Sequence, residues 1–156
     1  MLVLSFKMTK ARLAAFVIVC VMIIAVVTAI ADNQGSMQAV SKVNNDAATN
    51  EQRLAFLSSF GWQVNSEPAE IIEVIIPTEF DSVYEKYNAI QKVQGYDLTK
   101  QKGKRVKRYT YTVTNYPTPQ ESPINANLLV YNDKIIGGDI CSTALGGFIH
   151  GVNMPS

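Results

Sequence analysis

YTYTVTNY, residues 109–116, is the stretch that decides the fold class. Tyr109, Tyr111 and Val113 fall on one side of an extended chain, while Arg108, Thr110, Thr112 and Thr114 fall on the other, because side chains alternate with period two. The pattern predicts a half-buried antiparallel strand, with the tyrosines on its core face. Just downstream, PTPQESP (117–123) is excluded from a sheet interior, since proline has no N–H to give to a ladder. INANLLVYN and KIIGGDICS follow, flanking the turn residues Asn132 and Asp133, and predict a hairpin.

Upstream, EIIEVIIP (70–77) carries a β-branched run that Pro77 closes, and residues 62–64 offer a brief further strand. Thr78 and Asp81 are candidate caps for a helix in which Phe80, Val83, Tyr84, Tyr87 and Ile90, with Gln91 or Val93, recur at helical spacing as far as Gly95. An earlier helix is predicted from Thr49, which has capping-box spacing to Gln52. Its apolar face is Leu54, Phe56, Leu57 and Phe60, and Gly61 supplies a left-handed C-terminus. The order helix, strand, helix, three strands leaves one helix to act as a crossover. It predicts an α+β domain over residues 49–156, an antiparallel sheet of about four strands with two helices packed on one face.

The first third of the chain reads differently. Residues 13–31, LAAFVIVCVMIIAVVTAIA, are nineteen in a row without a charge. As a helix rising about 1.5 Å per residue, such a run nearly spans a hydrocarbon core of about 30 Å. Lys7, Lys10 and Arg12 precede it and Asp32 is the first charge after it, so the positive-inside bias leaves residues 1–12 in the cytoplasm and the C-terminal domain outside. The expected localisation is the cell membrane, single-pass, with residues 32–48 as a polar flexible linker. Ala29 and Ala31 also form an A-x-A pattern, and cleavage after Ala31 would release a secreted domain. The run nonetheless exceeds the roughly 7 to 15 residues of a signal-peptide core, which favours the uncleaved anchor.

Two cysteines bound the redox chemistry. Cys20 lies within the apolar run behind Val17, Ile18 and Val19, with no small residue before it to mark a lipidation site, and Cys141 is the only thiol beyond the run. No disulfide can form within the C-terminal domain. In GGDICSTALGGFIHG, Cys141 is joined by the single histidine, His150, and by Asp139. Thiol, imidazole and carboxylate are the parts of a cysteine nucleophile, so Cys141, His150 and Asp139 are the catalytic candidates; a buried structural thiol accounts for the same cysteine. Their spacing matches no paired-ligand motif, and no metal or other cofactor is expected. The glycines around them precede no GK[ST] and do not form a phosphate loop.

Charge is unevenly spread. Residues 51–97 hold eight acids against three bases, a net of minus five, and residues 98–134 hold seven bases against two acids, a net of plus five. Lys100, Lys102, Lys104, Arg105, Lys107 and Arg108 form a basic run suited to anionic lipid or wall polymer; nucleic acid is not expected in that compartment. A solvated strand entry, whose cations discourage edge pairing, accounts for the same run.

GW, EVIIPTEFDSVYEKYN, QGYDL, KRYTYTVTNYP, NLLVYNDKIIGGDICS and GFIHG, in that order, resemble domain of unknown function 4830, a group of short exported proteins of anaerobic Gram-positive bacteria. The resemblance runs over residues 50–152 and includes Trp62, Tyr87, Asn88, Tyr109, Tyr111, Asn115, Tyr116, Gly137, Gly138, Asp139 and Gly151. It implies a fold-defining or binding surface at those positions and brings no assigned activity. The expected function is a non-enzymatic binding or interaction module at the cell surface, with no protein partner identified. The alternative is a cell-envelope enzyme using Cys141 with His150.

Overall fold

The structure, a computed structural model, describes residues 43–155. The basic N-terminus, the apolar run 13–31 and the linker as far as residue 42 lie outside the described residues. Among the described residues no helix is long and apolar enough to cross a membrane. The elements are α1 (Asn50–Ser59), β1 (Glu70–Ile75), α2 (Ser82–Val93), a 3-10 turn (Leu98–Gln101), β2 (Arg105–Val113), β3 (Ile124–Tyr131), β4 (Lys134–Ser142) and β5 (Ile149–His150). The five strands form one antiparallel meander in the order β1-β2-β3-β4-β5.

Local chemistry sets the boundaries. Thr49 caps α1 through the expected capping box with Gln52, and Gly61 follows it at φ +87°. For α2 the cap is Asp81, whose carboxylate accepts from the backbone N–H of Val83 and Tyr84 at 3.0 and 2.8 Å. Asn132 and Asp133 both take positive φ, 48° and 58°, the conformation a two-residue hairpin with right-twisted strands requires. The brief strand expected at 62–64 reduces to a single bridge between Val64 and Val113, and the fifth strand, β5, was not anticipated.

Two expectations are corrected. The folded region starts before Thr49: Ala47 is buried and its N–H bonds to Asp133, Asn45 accepts from Ile135 N–H, and Asp46 pairs with Lys134. Nor do the helices share a sheet face. Phe56 and Leu57 of α1 pack with Tyr109, Tyr111, Val113, Ala126, Leu128 and Ile140. Phe80, Tyr84 and Tyr87, on and just before α2, pack instead with Ile76, Leu98, Val106 and Leu129. Val106 and Tyr109, like Leu128 and Leu129, have opposite parity along their strands, so the two cores lie on opposite sides of the sheet. The physical reason is visible in β3, where Leu128, Leu129 and Val130 are buried in succession, as happens when both faces are covered.

Candidate functional site

Asp139 and Cys141 stand two residues apart on β4 and point to the α2 side. Asp139 is only 3% exposed. Its Oδ2 accepts from Tyr87 Oη at 2.8 Å and its Oδ1 from Asn127 Nδ2 at 2.9 Å. Asn127 Oδ1 in turn accepts from Thr110 Oγ1 at 2.8 Å, and Asn127 Nδ2 also approaches Cys141 Sγ at 3.3 Å. Three strands and α2 therefore meet in one hydrogen-bonded network. Burial raises the carboxyl of Asp139 above the ordinary aspartate range, against the pull of its Asn127 and Tyr87 donors. Burial and then the neighbouring Asp139 raise the phenol of Tyr87 well above its usual range. The same two causes, in the same order, raise the thiol of Cys141. A nucleophilic cysteine needs the reverse shift.

His150 is elsewhere. In the β4–β5 ladder Ile140 pairs with His150 and Cys141 with Ile149. Directly paired residues share a face, so Cys141 and His150 project on opposite sides of the sheet. The imidazole stacks on Phe148 at 5.5 Å and lies beside Trp62 and Tyr116 in an aromatic cluster. Its Nδ1 lies 2.7 Å from the Gly151 carbonyl, which can only accept, so Nδ1 carries a proton, and Nε2 is hydrogen-bonded to Tyr116 Oη at 3.3 Å. Of the three catalytic candidates the fold brings Asp139 and Cys141 together and leaves His150 out.

The basic run is likewise divided. Arg105 and Lys107 share the parity of Tyr109, whereas Lys104 and Arg108 share that of Val106. Arg105 pairs with Glu73 at 3.2 Å and Arg108 with Glu70 at 2.8 Å, both across to β1. Lys102 lies over the ring of Phe80 and Lys104 over that of Tyr131, 4.9 and 4.6 Å from the centroids. Lys100, Lys102 and Lys107 are exposed and make no ion pair among the described residues.

The family model for a domain of unknown function, DUF4830, matches residues 56–140, more than half of the chain. The chain belongs to the DUF4830 family. No curated protein and no solved structure matches it. The matched span runs from the buried Phe56 of α1 to Ile140 of β4 and takes in Trp62, Tyr87 and Asp139; Cys141 and His150 fall just beyond it.

Sequence reasoning missed several polar residues that hold the DUF4830 domain together. Arg53 is buried on α1: its guanidinium lies 3.8 Å over the Tyr109 ring, Nε donates to Tyr111 Oη at 2.9 Å, and an Nη donates to the Ala47 carbonyl at 2.8 Å. Gln91 and Gln94 of α2 act as a substitute strand along β4 beyond the end of β5. Gln91 Oε1 accepts from Gly138 N–H at 2.9 Å, Gln94 Nε2 donates to the Gly138 carbonyl at 3.0 Å, and Gln94 Oε1 accepts from Val152 N–H at 2.7 Å. The available signal was Gln91 within the apolar stripe of α2, one turn after Tyr87. A hollow of about 490 Å³ between α2 and β5, lined by Ile90, Val93, Ile149 and Met154 beside His150, is within the size range of small-ligand sites, about 300–1,000 Å³. Its walls are mainly apolar, an arrangement suited to holding an apolar group.

Proposed function

We propose that this DUF4830 protein is a non-catalytic binding module displayed outside the cell, tethered by residues 13–31 and meeting anionic lipid or wall polymer through its basic segment. The observation that carries the non-catalytic reading is the β4–β5 register, which turns Cys141 and His150 to opposite faces of the sheet. The raised thiol of Cys141 supports it further. Exposed Lys100, Lys102 and Lys107 support the anionic partner, because unpaired surface cations attract polyanions over about a Debye length, near 8 Å at physiological salt.

Three measurements test the reading. Full-length protein in micelles should bind phosphatidylglycerol vesicles more tightly than phosphatidylcholine vesicles, with affinity falling steeply as salt rises; equal or salt-independent binding removes the anionic partner. Iodoacetamide at neutral pH should leave Cys141 largely unmodified until the domain unfolds, and modification within minutes revives a nucleophile. A C-terminal alkaline phosphatase fusion should be active and the domain digestible in intact protoplasts, whereas protection from protease reverses the orientation.

A further inference from the structure

The two edges of the sheet are treated differently. On the β4 side the backbone is closed by β5, by the glutamines of α2 and by Asn45, which accepts from Ile135. β1, the other edge, has no such cover among the described residues. It pairs with β2 in unbroken register from Glu70↔Thr110 to Ile75↔Arg105 and contains no proline, lysine or bulge; its two charges, Glu70 and Glu73, are each held in an ion pair with β2 rather than left free to guard the edge. Ile71 and Ile75 are 54% and 60% exposed. Ile76 N–H bonds inward to Lys104, so the alternation of an antiparallel ladder turns the backbone groups of Ile71, Glu73 and Ile75 outward.

We propose that β1 is a self-pairing edge, joining two copies of the chain into a continuous ten-stranded antiparallel sheet across a two-fold axis at Glu73. The occupant follows from the strand itself. Read from Glu73 in either direction, β1 is an apolar palindrome: Ile72 and Val74, then Ile71 and Ile75. Pairing centred there sets Ile71 of each copy against Ile75 of the other and Ile72 against Val74, with outward N–H and C=O groups meeting in hydrogen-bonded pairs. Centring on Ile72 or Val74 instead opposes isoleucine to glutamate right beside the axis, whereas centring on Glu73 meets that mismatch only at the end of the strand, Glu70 against Ile76. The one like-charge meeting, Glu73 with Glu73 of the second copy, is offset within each copy by Arg105 at 3.2 Å. A six-residue edge buries little area, so this is a weak dimer of the low-end interface class.

The test uses the full chain in micelles with Cys20→Ser and Cys141→Ser as background. Hydrogen-bonded antiparallel partners have Cα atoms about 5.5 Å apart, within disulfide reach. Glu73→Cys should therefore form an oxidised dimer by itself. Ile71→Cys should cross-link with Ile75→Cys in a mixture and far less with itself. Sedimentation of the wild-type background from micromolar to submillimolar concentration should show a reversible dimer, weakened at least tenfold by Ile71→Lys with Ile75→Lys; both sites are exposed, and unchanged circular dichroism verifies that this variant is folded. Absent Glu73→Cys dimers, or cross-linking equal at all three positions, overturns the proposal. So does self-association that the double lysine variant leaves unchanged, since the apolar run 13–31 then accounts for it.

Discussion

Asp139 is the position at which a single atom-level change gives the most informative result. Replacing it with alanine leaves the Tyr87 hydroxyl and the Asn127 amide, donors at 2.8 and 2.9 Å, without their acceptor in a buried site. Each buried donor so orphaned costs about 1–3 kcal/mol, so Asp139→Ala should lower stability by about 2–5 kcal/mol. Asp139→Asn keeps an acceptor for Tyr87, and a flip of Asn127 restores the second bond, with Thr110 turning from donor to acceptor; the expected cost is under about 1 kcal/mol. The two variants also separate charge from hydrogen bonding. Burial raises the folded-state carboxyl above the ordinary value of 3.8, so in the window above 3.8 the folded protein holds a proton that the unfolded chain releases. Stability contributed by this group is then present below that window and lost as pH rises through it. Urea unfolding in mild detergent, followed by the fluorescence of the buried single tryptophan Trp62, should show wild type losing ground to Asp139→Asn as pH rises above 3.8. An alanine variant within 1 kcal/mol of wild type, or wild type gaining on the asparagine variant as pH rises, would refute the argument.

Other changes probe the polar links between layers. Trp62→Phe removes the 2.6 Å bond from the indole N–H to the Val152 carbonyl and should cost about 1–3 kcal/mol, read by circular dichroism because the fluorophore is lost. Gln94→Ala frees the Gly138 carbonyl and the Val152 N–H; a loss of about 2–4 kcal/mol is expected, with faster hydrogen exchange at Val152 as the local signature. Gly138→Ala would set its Cβ 3.0 Å from the Asn127 carbonyl oxygen and from Val152 Cγ1; chemical denaturation should show about 1–3 kcal/mol of destabilisation from overpacking.

Both helices, the long strands and the hairpin were legible because each is specified within a few residues. The Thr49–Gln52 box, the Asp81 cap and the Asn132–Asp133 turn act through backbone groups no more than three positions away. The second sheet face was not legible. Thr110 alternates with tyrosines and reads as a solvent-side residue, yet it is 5% exposed, its hydroxyl satisfied by Asn127. A polar side chain is buried cheaply only when a partner arrives from another strand, and local periodicity carries no information about that partner.

The candidate site divides in the same way. Sequence alone determined which reactive groups the C-terminal domain possesses, one thiol and one imidazole, and that no disulfide could form there; it also determined the charge asymmetry between residues 51–97 and 98–134. Tertiary structure decided what those groups face. Strand pairing has a period of two, so the β4–β5 register that sets Cys141 opposite Ile149 sends His150 through to the other side of the sheet, where a shift of one residue would have sent it to the same side. The cations were split by the same parity, and two of them are held by glutamates that lie more than thirty residues upstream in sequence but beside them across β1. Composition counts functional groups, and register aims them.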